Sequence, residues 1–404
     1  MSNSTKEQTI LILPDGPISH EAGLYKYSKG ERLYIDNLAK DFKEVQIATF
    51  VLREGDEFYE SNLHSSFSSI NIRVIELPAP KTKNPSVIQK AFQFLKVFFV
   101  IARVTKKVDV SYLFLPSYPS AFGFLASKIY GKPHIVYGAD DWVTASESMF
   151  RWEKDRSSLF YRAYAALNKH MEIAIVRSAL FGVAAGGQLI EKYRNLGCTT
   201  YPTTPRMTLT RSDIFNRTDT CAGDVIQLVN VGGLIHDKAQ HQLLKAFSLA
   251  LEKEGRLRLK IIGEGPERDS LMSLAISLGV TDKVEFTGYI ESEALLYSHL
   301  KAADIFVLSS VTEGFPRVLY EAMCMRLPII STRVGGIPYL MSDRENALLV
   351  DCGDNNALAD AIHTLTSSGE LRKTVIMNAS KTLDKVFDYM DGGQISKLLT
   401  RHSI

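Results

Sequence analysis

Short apolar runs alternate with longer amphipathic stretches along the chain, and the alternation starts afresh after a polar segment at residues 197–222. This alternation is typical of βα units that build a mostly parallel sheet. The predicted strands of the first half are residues 9–13, 45–50, 72–77, 110–115, 134–137 and 180–184. Those of the second half are residues 225–231, 257–262, 284–286, 305–308, 329–331 and 347–350. The pattern therefore predicts two α/β domains.

The polar segment between the two halves shows neither helical nor strand periodicity and is rich in Thr, Pro, Arg and Asp. Such a composition is typical of a connecting segment. With 404 residues, the chain is long enough for two ordinary domains. We therefore place an N-terminal domain at residues 1–200, a linker at 201–222 and a second domain at 223–385. The tail at residues 386–404 is expected to pack back toward the N-terminal domain.

Composition narrows the class of protein. Hydrophobic residues make up 45% of the chain and charged residues 23%, as in ordinary globular proteins, and the net charge of +2 is too small for a nucleic-acid binder. The cysteines lie far apart and form no CxxC pair, so neither a zinc site nor a disulfide framework is indicated. The N-terminus lacks the pattern of a secretory signal. We expect a cytoplasmic protein with no nucleic-acid partner.

One segment of the first half is both basic and aromatic. Residues 77–108 contain no Asp or Glu, and their lysines and arginine are interleaved with phenylalanines. On a helical period, one side carries Ile88, Phe92, Leu95, Phe99 and Ala102, and the opposite side carries Phe94, Val97 and Ile101. Two interpretations stay open: a domain helix buried on both sides, or peripheral contact of residues 81–107 with anionic lipid at the inner face of a membrane.

The densest group of candidate functional residues lies at positions 309–323 and includes Glu313 and Glu321. The pattern predicts a strand that ends at Leu308, a polar turn, and a helix with Pro316 in its first turn. Free N–H groups and the helix dipole make such a helix start suitable for a diphosphate. Alternatively, Glu313 only complements the helix dipole and Glu321 is a solvated helix residue.

The spacing of Glu313 and Glu321 resembles the E-x7-E signature of the retaining GT-B-fold glycosyltransferases, the large group 1, family 4-like set of enzymes. The resemblance covers about residues 225–352. Its other motifs are Val231-Gly232-Gly233-Leu234 with Lys238, IIGEGP at 261–266, VEFTGY at 284–289, DIFVL at 304–308, PIIST at 328–332, Gly335-Gly336 and NALLV at 346–350. It implies a GT-B fold, in which two Rossmann-like doubly wound α/β domains face a central cleft.

The resemblance also implies roles for individual residues. Glu321 would bind the ribose hydroxyls of the donor, Glu313 would lie beside the transferred sugar, and Lys238 would neutralise the diphosphate. The other expected donor contacts are Gly233, Gly263, Gly314, Phe315, Pro316, Arg317 and Val318, with Tyr289 near the base. Gly263 could instead serve only a turn. The family usually has an arginine where this chain has Gly233, so one of the two usual cations is missing.

The N-terminal half resembles the family only in outline. Gly16 follows the first strand, where family members carry a glycine-rich loop near the diphosphate. The usual His-Asp pair is replaced here by GADDW at residues 138–142. Asp140 could orient the attacking hydroxyl or merely close an Asx turn. No metal site is expected at Asp140 and Asp141, because adjacent strand residues point to opposite faces.

The resemblance therefore implies retaining transfer of a sugar from a UDP- or GDP-linked donor to a glycan, lipid-linked or small-molecule acceptor. Cell-surface polysaccharide or glycoconjugate biosynthesis is the expected setting, and no cofactor is expected. In such a transfer the leaving diphosphate would help to accept the proton of the acceptor. Two alternatives stay open: a GT-B-fold sugar-nucleotide epimerase, and a non-catalytic nucleotide-sugar-binding subunit of a glycosyltransferase complex.

Overall fold

The computed structural model describes residues 5–53, 56, 65–79, 87–139, 142, 159–184, 186–203, 208–313, 316–391 and 394–402. The chain divides into two compact units, Met1–Thr208 with Tyr389–Ile404, and Leu209–Asp388. The division falls inside the segment assigned to the linker, and the C-terminal residues belong to the first unit.

The first unit is built on a parallel sheet of seven strands. In chain order, the strands of this unit are β1 (Thr9–Leu13), β2 (Ile18–Glu21), β3 (Leu24–Tyr27), β4 (Glu44–Thr49), β5 (Val51–Leu52), β6 (Ser65–Ser66), β7 (Ile72–Glu76), β8 (Val110–Leu115), β9 (His134–Gly138), β10 (Gly182–Ala184) and β11 (Thr200–Pro202). The large sheet has the order β11-β10-β9-β8-β1-β4-β7. The chain thus winds outward from β1 in both directions, as in a doubly wound fold.

Helices cover the large sheet on both faces. They are α1 (Lys29–Ala39), α2 (Val87–Thr105), α3 (Tyr118–Tyr130), α4 (Leu159–Arg177) and α5 (Gly187–Asn195). Ile10 and Ile12 of β1 pack into a core with residues of α1, whereas Leu11 and Leu13 pack on the other face with residues of α2 and α3. Burial on both faces explains why the central strands are continuous apolar runs.

Five short strands were not predicted. β5, β2, β3 and β6 form a separate sheet of four strands, and β11 forms the edge of the large sheet. The assignment of residues 197–222 as lacking a strand is therefore wrong at Thr200–Pro202. These strands are only two to four residues long. Because they are so short and several are largely polar, they give no clear apolar pattern.

The second unit contains a parallel sheet of six strands. Its strands are β12 (Ile226–Val231), β13 (Leu257–Ile262), β14 (Val284–Gly288), β15 (Ile305–Leu308), β16 (Ile329–Thr332) and β17 (Leu348–Val350), in the order β14-β13-β12-β15-β16-β17. Its helices are α6 (Gln240–Lys253), α7 (Arg268–Ser277), α8 (Glu293–Ala302), α9 (Arg317–Cys324), α10 (Ile337–Leu340), α11 (Asn355–Ser367) and α12 (Gly369–Asp391). Each predicted strand of this half is present to within two residues.

The last helix, α13 (Gln394–Arg401), belongs to the first unit. Its apolar side chains Ile395, Leu398 and Leu399 are buried in the same core as β1 and α1. Ser396 donates a hydrogen bond to Asp41, with 2.9 Å between the two oxygens. The chain therefore returns to its N-terminal unit after completing the second one.

Helix α2 is buried on one side only. Val97, Ile101 and Ala102 lie in the core, whereas Ile88 and Phe92 are exposed. The expectation of a helix buried on both sides is therefore wrong, because no described element covers the outer row of apolar residues. In the part of the chain that the structure describes, no helix is long and apolar enough to span a membrane.

Candidate functional site

A group of charged side chains lies in the second unit, at the point where the strand order changes direction. β12 and β15 run side by side but are followed by helices that lead to opposite halves of the sheet. Loops that follow such a pair of strands diverge and leave a crevice at the carboxyl edge of the sheet. The loop after β12 carries Lys238, and the loop after β15 carries Glu313.

Lys238 and Glu313 are in direct contact. The Lys238 ammonium nitrogen lies 2.6 Å from Oε1 of Glu313, and the Ser310 hydroxyl donates to the same oxygen at 2.5 Å. The Glu313 side chain is only 6% exposed, whereas that of Lys238 is 27% exposed. A buried carboxylate of this kind needs its charged and hydroxyl donors, and the ammonium still reaches solvent from which an anion can approach.

Further hydrogen bonds fix the two loops to each other. The Ser309 hydroxyl donates to the Lys238 carbonyl at 3.0 Å, and the Val311 N–H donates to the Asp237 carbonyl at 2.8 Å. The Thr332 hydroxyl, at the end of β16, donates to the Ser310 carbonyl at 2.6 Å. The geometry of the charged pair is thus set by three neighbouring strands rather than by a flexible loop alone.

Two glycines allow the backbone to approach closely around this crevice. A Cβ atom at Gly335 would lie 1.6 Å from the Glu313 carbonyl oxygen, and Gly335 has a φ of +55°. A Cβ atom at Gly263 would lie 2.0 Å from the carbonyl oxygen of Gly232, at a φ of +147°. Both positions therefore require glycine for packing. A direct contact between Gly263 and a ligand stays a prediction.

Glu321 lies on α9, beyond the charged pair in the sequence, and is partly buried. Burial raises the pKa of its carboxyl group, an effect that Arg317 opposes and Glu293 reinforces. This partial burial favours the predicted binding role over the alternative of a solvated helix residue. A carboxylate withdrawn from water in this way gains more than an exposed one from hydrogen-bond donors on a ligand.

Helix α9 begins one residue later than predicted. Pro316 occupies the N-cap position with an extended ψ of 113°, and Arg317 is the first helical residue. Proline fits at this position because it has no backbone N–H that would need a hydrogen-bond acceptor. Arg317 is exposed and Val318 is partly buried. Gly314 and Phe315 lie outside the described residues.

The other predicted donor contacts lie at the same edge of the sheet. Gly233 follows β12, and its carbonyl accepts hydrogen bonds from the Ile235 N–H at 3.0 Å and from the Gln240 amide at 3.1 Å. Tyr289 follows β14, and its side chain is 73% exposed. The fold thus collects residues that follow β12, β13, β14 and β15 at one edge.

A group of possible metal ligands lies beside Lys238. Within the described ranges, the ligand atoms of His236, His241 and Glu267 all lie within 4.8 Å of one another. Burial lowers the pKa of His241, and the Glu267 carboxylate opposes that effect. Neutral imidazole and carboxylate are common ligands of divalent transition metals. We did not single out this group from the sequence, because Glu267 comes near the histidines only through the fold.

The first unit has a pocket at the corresponding edge of its own sheet. Its volume is about 300 Å³. It is lined by residues that follow β1, β4 and β8, together with Trp142 and Tyr164 on the helical side; they are Pro14, Asp15, Gly16, Pro17, Thr49, Phe50, Pro116, Ser117, Tyr118, Pro119, Trp142 and Tyr164. The loop with Gly16 is held by the Thr49 hydroxyl, which donates to the Gly16 carbonyl at 2.9 Å.

Aromatic side chains form much of the wall of this pocket. Tyr118 hydrogen-bonds to Tyr164 through the two hydroxyl groups, and its ring lies 6.2 Å from that of Trp142. Burial and the Tyr164 hydrogen bond raise the pKa of Tyr118, so its hydroxyl stays protonated at neutral pH. Asp140 lies outside the described residues, so its predicted role beside the acceptor has no structural account.

Two doubly wound parallel units, each with a site at the carboxyl edge of its sheet, define the GT-B class of fold. Solved structures match nearly the whole chain. The UDP complex of Anabaena HepE covers 97% of this chain and all of that one, with a TM-score of 0.67 at 19% identity. Sucrose-phosphate synthase from Thermosynechococcus elongatus covers 98% of this chain and all of that one, with a TM-score of 0.67 at 18% identity. The predicted α/β fold class is confirmed.

Sequence similarity is concentrated in the second unit. Residues 217–382 match the family described as glycosyl transferases group 1. The lipopolysaccharide core biosynthesis glycosyltransferase LpsE of Rhizobium meliloti is 33% identical over 160 residues, which are 40% of this chain and 45% of LpsE. The matching stretch thus spans less than half the length of that relative.

Proposed function

We propose that the protein transfers a sugar, with retention of configuration, from a nucleotide-sugar donor to an acceptor. The observation that carries this proposal is the Lys238–Glu313 pair at the switch point of the second sheet, 2.6 Å apart and fixed by Ser310. It supplies a cation for a diphosphate and a carboxylate for a developing positive charge at one location. The family match to residues 217–382 supports the same reaction.

The donor would bind with its nucleoside toward α9. The partly buried Glu321 carboxylate suits the two vicinal hydroxyls of a ribose, because one carboxylate accepts two hydrogen bonds. Lys238 and the free N–H groups at the start of α9 would hold the diphosphate. HepE was crystallised with UDP and with UDP-glucose, which supports a UDP-linked donor here.

In the transfer step, the bond between the anomeric carbon and the diphosphate oxygen breaks while the acceptor oxygen attacks the same face. The acceptor proton passes to the departing phosphate oxygen, so no separate base is required. Glu313 stabilises the positive charge that develops on the sugar, and Lys238 stabilises the negative charge on the diphosphate. The chain needs no cofactor in this scheme, since its own residues supply both charges.

The acceptor would bind in the first unit. The pocket beside Gly16 is bounded by Phe50, Tyr118 and Trp142, and aromatic faces of this kind stack well against sugar rings. LpsE is described as a lipopolysaccharide core enzyme, which supports a glycan or lipid-linked acceptor of cell-surface biosynthesis. We retain Asp140 as the predicted residue that orients the attacking hydroxyl.

The test is incubation of the purified protein with UDP- and GDP-linked sugars and candidate acceptors. Release of nucleoside diphosphate is the readout, and the anomeric configuration of the product is determined by NMR. Diphosphate release that depends on the acceptor, with a retained configuration, is the expected result. Conversion of one nucleotide sugar into its epimer would support the epimerase alternative. Binding of nucleotide with no turnover on any acceptor would support the non-catalytic subunit.

A further inference from the structure

A continuous apolar face lies on the outside of α2 and α3 in the first unit. On α2 the exposed fractions are 70% for Ile88, 62% for Phe92, 52% for Leu95 and 65% for Phe99. These positions follow a helical stripe of i, i+4, i+7 and i+11. On α3 the exposed apolar side chains are Leu125, Ile129 and Tyr130. We call these seven side chains the α2–α3 face.

The two helices hold this face rigidly. They pack side by side through aromatic contacts, with Phe94 and Phe98 of α2 each about 6 Å from Phe122 of α3. Their inner sides are buried, with Val97 and Ile101 on α2 and Ala126 on α3 in one core. Because both helices cover the same side of the sheet, their outer apolar rows point away from the unit together.

Basic residues surround the face, and acidic residues are nearly absent. Residues 87–139 contain seven Lys or Arg and a single acidic residue, Asp109. The Asp109 carboxylate accepts a hydrogen bond from the Thr9 N–H at 2.8 Å, so part of its charge is already used within the unit. The exposed basic side chains are Lys96 and Arg103 on α2, Lys106 and Lys107 directly after it, and Lys128 on α3.

We propose that the α2–α3 face docks the protein on an anionic lipid bilayer, with its aromatic and aliphatic side chains in the interface and its basic side chains on the lipid phosphates. An apolar face rimmed by lysines is the pattern of helices that lie in a membrane interface. A second copy of this chain is a poorer occupant. A two-fold interface would place the same basic residues of both copies against each other, with a single acidic residue within residues 87–139 of each copy to offset them.

The face is connected to the pocket of the first unit. Tyr118, the first residue of α3, lines the pocket and has its ring centroid 6.3 Å from that of Phe94 on α2. Docking through the α2–α3 face would therefore place the pocket entrance near the lipid headgroups. This consequence rests on the proposed function and favours a lipid-linked acceptor over a soluble one.

The test is flotation with vesicles of phosphatidylcholine alone and of phosphatidylcholine mixed with phosphatidylglycerol. We expect binding to the anionic vesicles that weakens as salt is raised, and weaker binding to the neutral ones. The double variant Phe92→Ser with Phe99→Ser should bind anionic vesicles at least about tenfold more weakly, because it removes two aromatic side chains from the lipid interface. Both side chains are largely exposed in the folded protein, so the fold should be retained. Lys96→Glu with Arg103→Glu should lose the preference for anionic vesicles.

Ile276→Ser is the matched control, since Ile276 is 67% exposed on α7 of the second unit. It should bind vesicles like the unaltered protein. The melting temperature and UDP binding of every variant report on folding and on the donor site, so failure to dock is distinct from failure of the proposed function. Absence of binding to anionic vesicles, or unchanged binding by the phenylalanine variant, would overturn the proposal. A dimer in solution that the same variant dissociates would identify a second copy as the occupant.

Discussion

Glu313 is held at 2.6 Å from the Lys238 ammonium and is nearly inaccessible to water, so its charge acts at short range on whatever occupies the crevice. We predict that Glu313→Gln lowers kcat by about 100-fold or more while the donor KM changes little, because the lost charge matters most at the transition state. Steady-state kinetics measure both constants. Glu370→Gln, at an exposed position of α12, is the control. An unaltered kcat in Glu313→Gln would show that the Glu313 charge takes no part in the reaction.

The binding role that we propose for Glu321 comes with a cost to stability. Its folded-state pKa is raised by burial, so its contribution to stability is greatest below the unfolded pKa and is lost as pH rises through the folded pKa. We predict that Glu321→Gln unfolds at higher denaturant concentration than the unaltered protein at pH 8, with little difference at pH 4. The same variant should bind UDP more weakly. Equal stability of the two proteins at pH 8 would show that the ionised Glu321 carboxylate does not lower the stability of the fold.

Gly233 leaves room for the cation that the family usually carries there. Among the described residues, a Cβ atom at this position would meet the Glu264 carbonyl oxygen alone, at an ordinary 3.8 Å. We predict that Gly233→Arg folds normally and lowers the donor KM about fivefold, equivalent to ~1 kcal/mol of added charge interaction. Gly233→Gln has a comparable length without the charge and should show no such gain. A gain in Gly233→Gln equal to that in Gly233→Arg would show that charge is not the cause.

At the level of elements, the long central strands could be predicted and the short ones could not. β1, β8 and β15 have the bounds that their apolar runs predict, because a strand buried on both faces is a nearly continuous apolar run. β2, β3, β5 and β6 are held by pairing with each other, which leaves little trace in the composition. The sequence left open whether the outer row of α2 is exposed, since periodicity shows that a row is apolar but not what covers it.

The candidate site could be predicted only in part for a related reason. Glu313, Glu321 and Lys238 stand in motifs that are local in sequence. The contact between Lys238 and Glu313 joins positions 75 residues apart and depends on the neighbouring placement of β12 and β15. The group of His236, His241 and Glu267, and the aromatic pocket of the first unit, are assembled in the same non-local way. Neither has a spacing from which its members could be collected.

Helix α13 illustrates how a terminal element contributes to stability. Leu399 is fully buried in the core of the first unit although it lies at the end of the chain. We predict that Leu399→Ala lowers the free energy of unfolding of this unit by about 2–5 kcal/mol, through lost burial and the cavity left behind. Denaturant unfolding of this variant and of Lys397→Ala, an exposed neighbour on the same helix, measures the difference. Equal stability would mean that α13 is only loosely attached.

At the level of the whole molecule, the proposed roles of the two units are supported by different kinds of observation. The second unit has the family match and the charged pair, whereas the first has a fold shared with solved structures and a pocket without a sequence motif. Such a division suits the proposed enzyme, in which the second unit would bind the donor and the first unit the acceptor. The fold alone would not assign these roles, because similar folds host many functions.

We propose that Lys238 holds the diphosphate of a nucleotide donor, and isothermal titration of UDP and UMP into Lys238→Met measures this contact. Lys253→Met is the control, since Lys253 forms an exposed ion pair with Asp360 on the helical side of the same unit. We predict that UDP binding weakens by about 10- to 100-fold in Lys238→Met alone, the effect of losing about 1.5–3 kcal/mol of charged hydrogen bonding. UMP, which lacks the second phosphate, should lose much less. Equal affinity of Lys238→Met and the unaltered protein for UDP and for GDP would show that Lys238 does not hold the diphosphate.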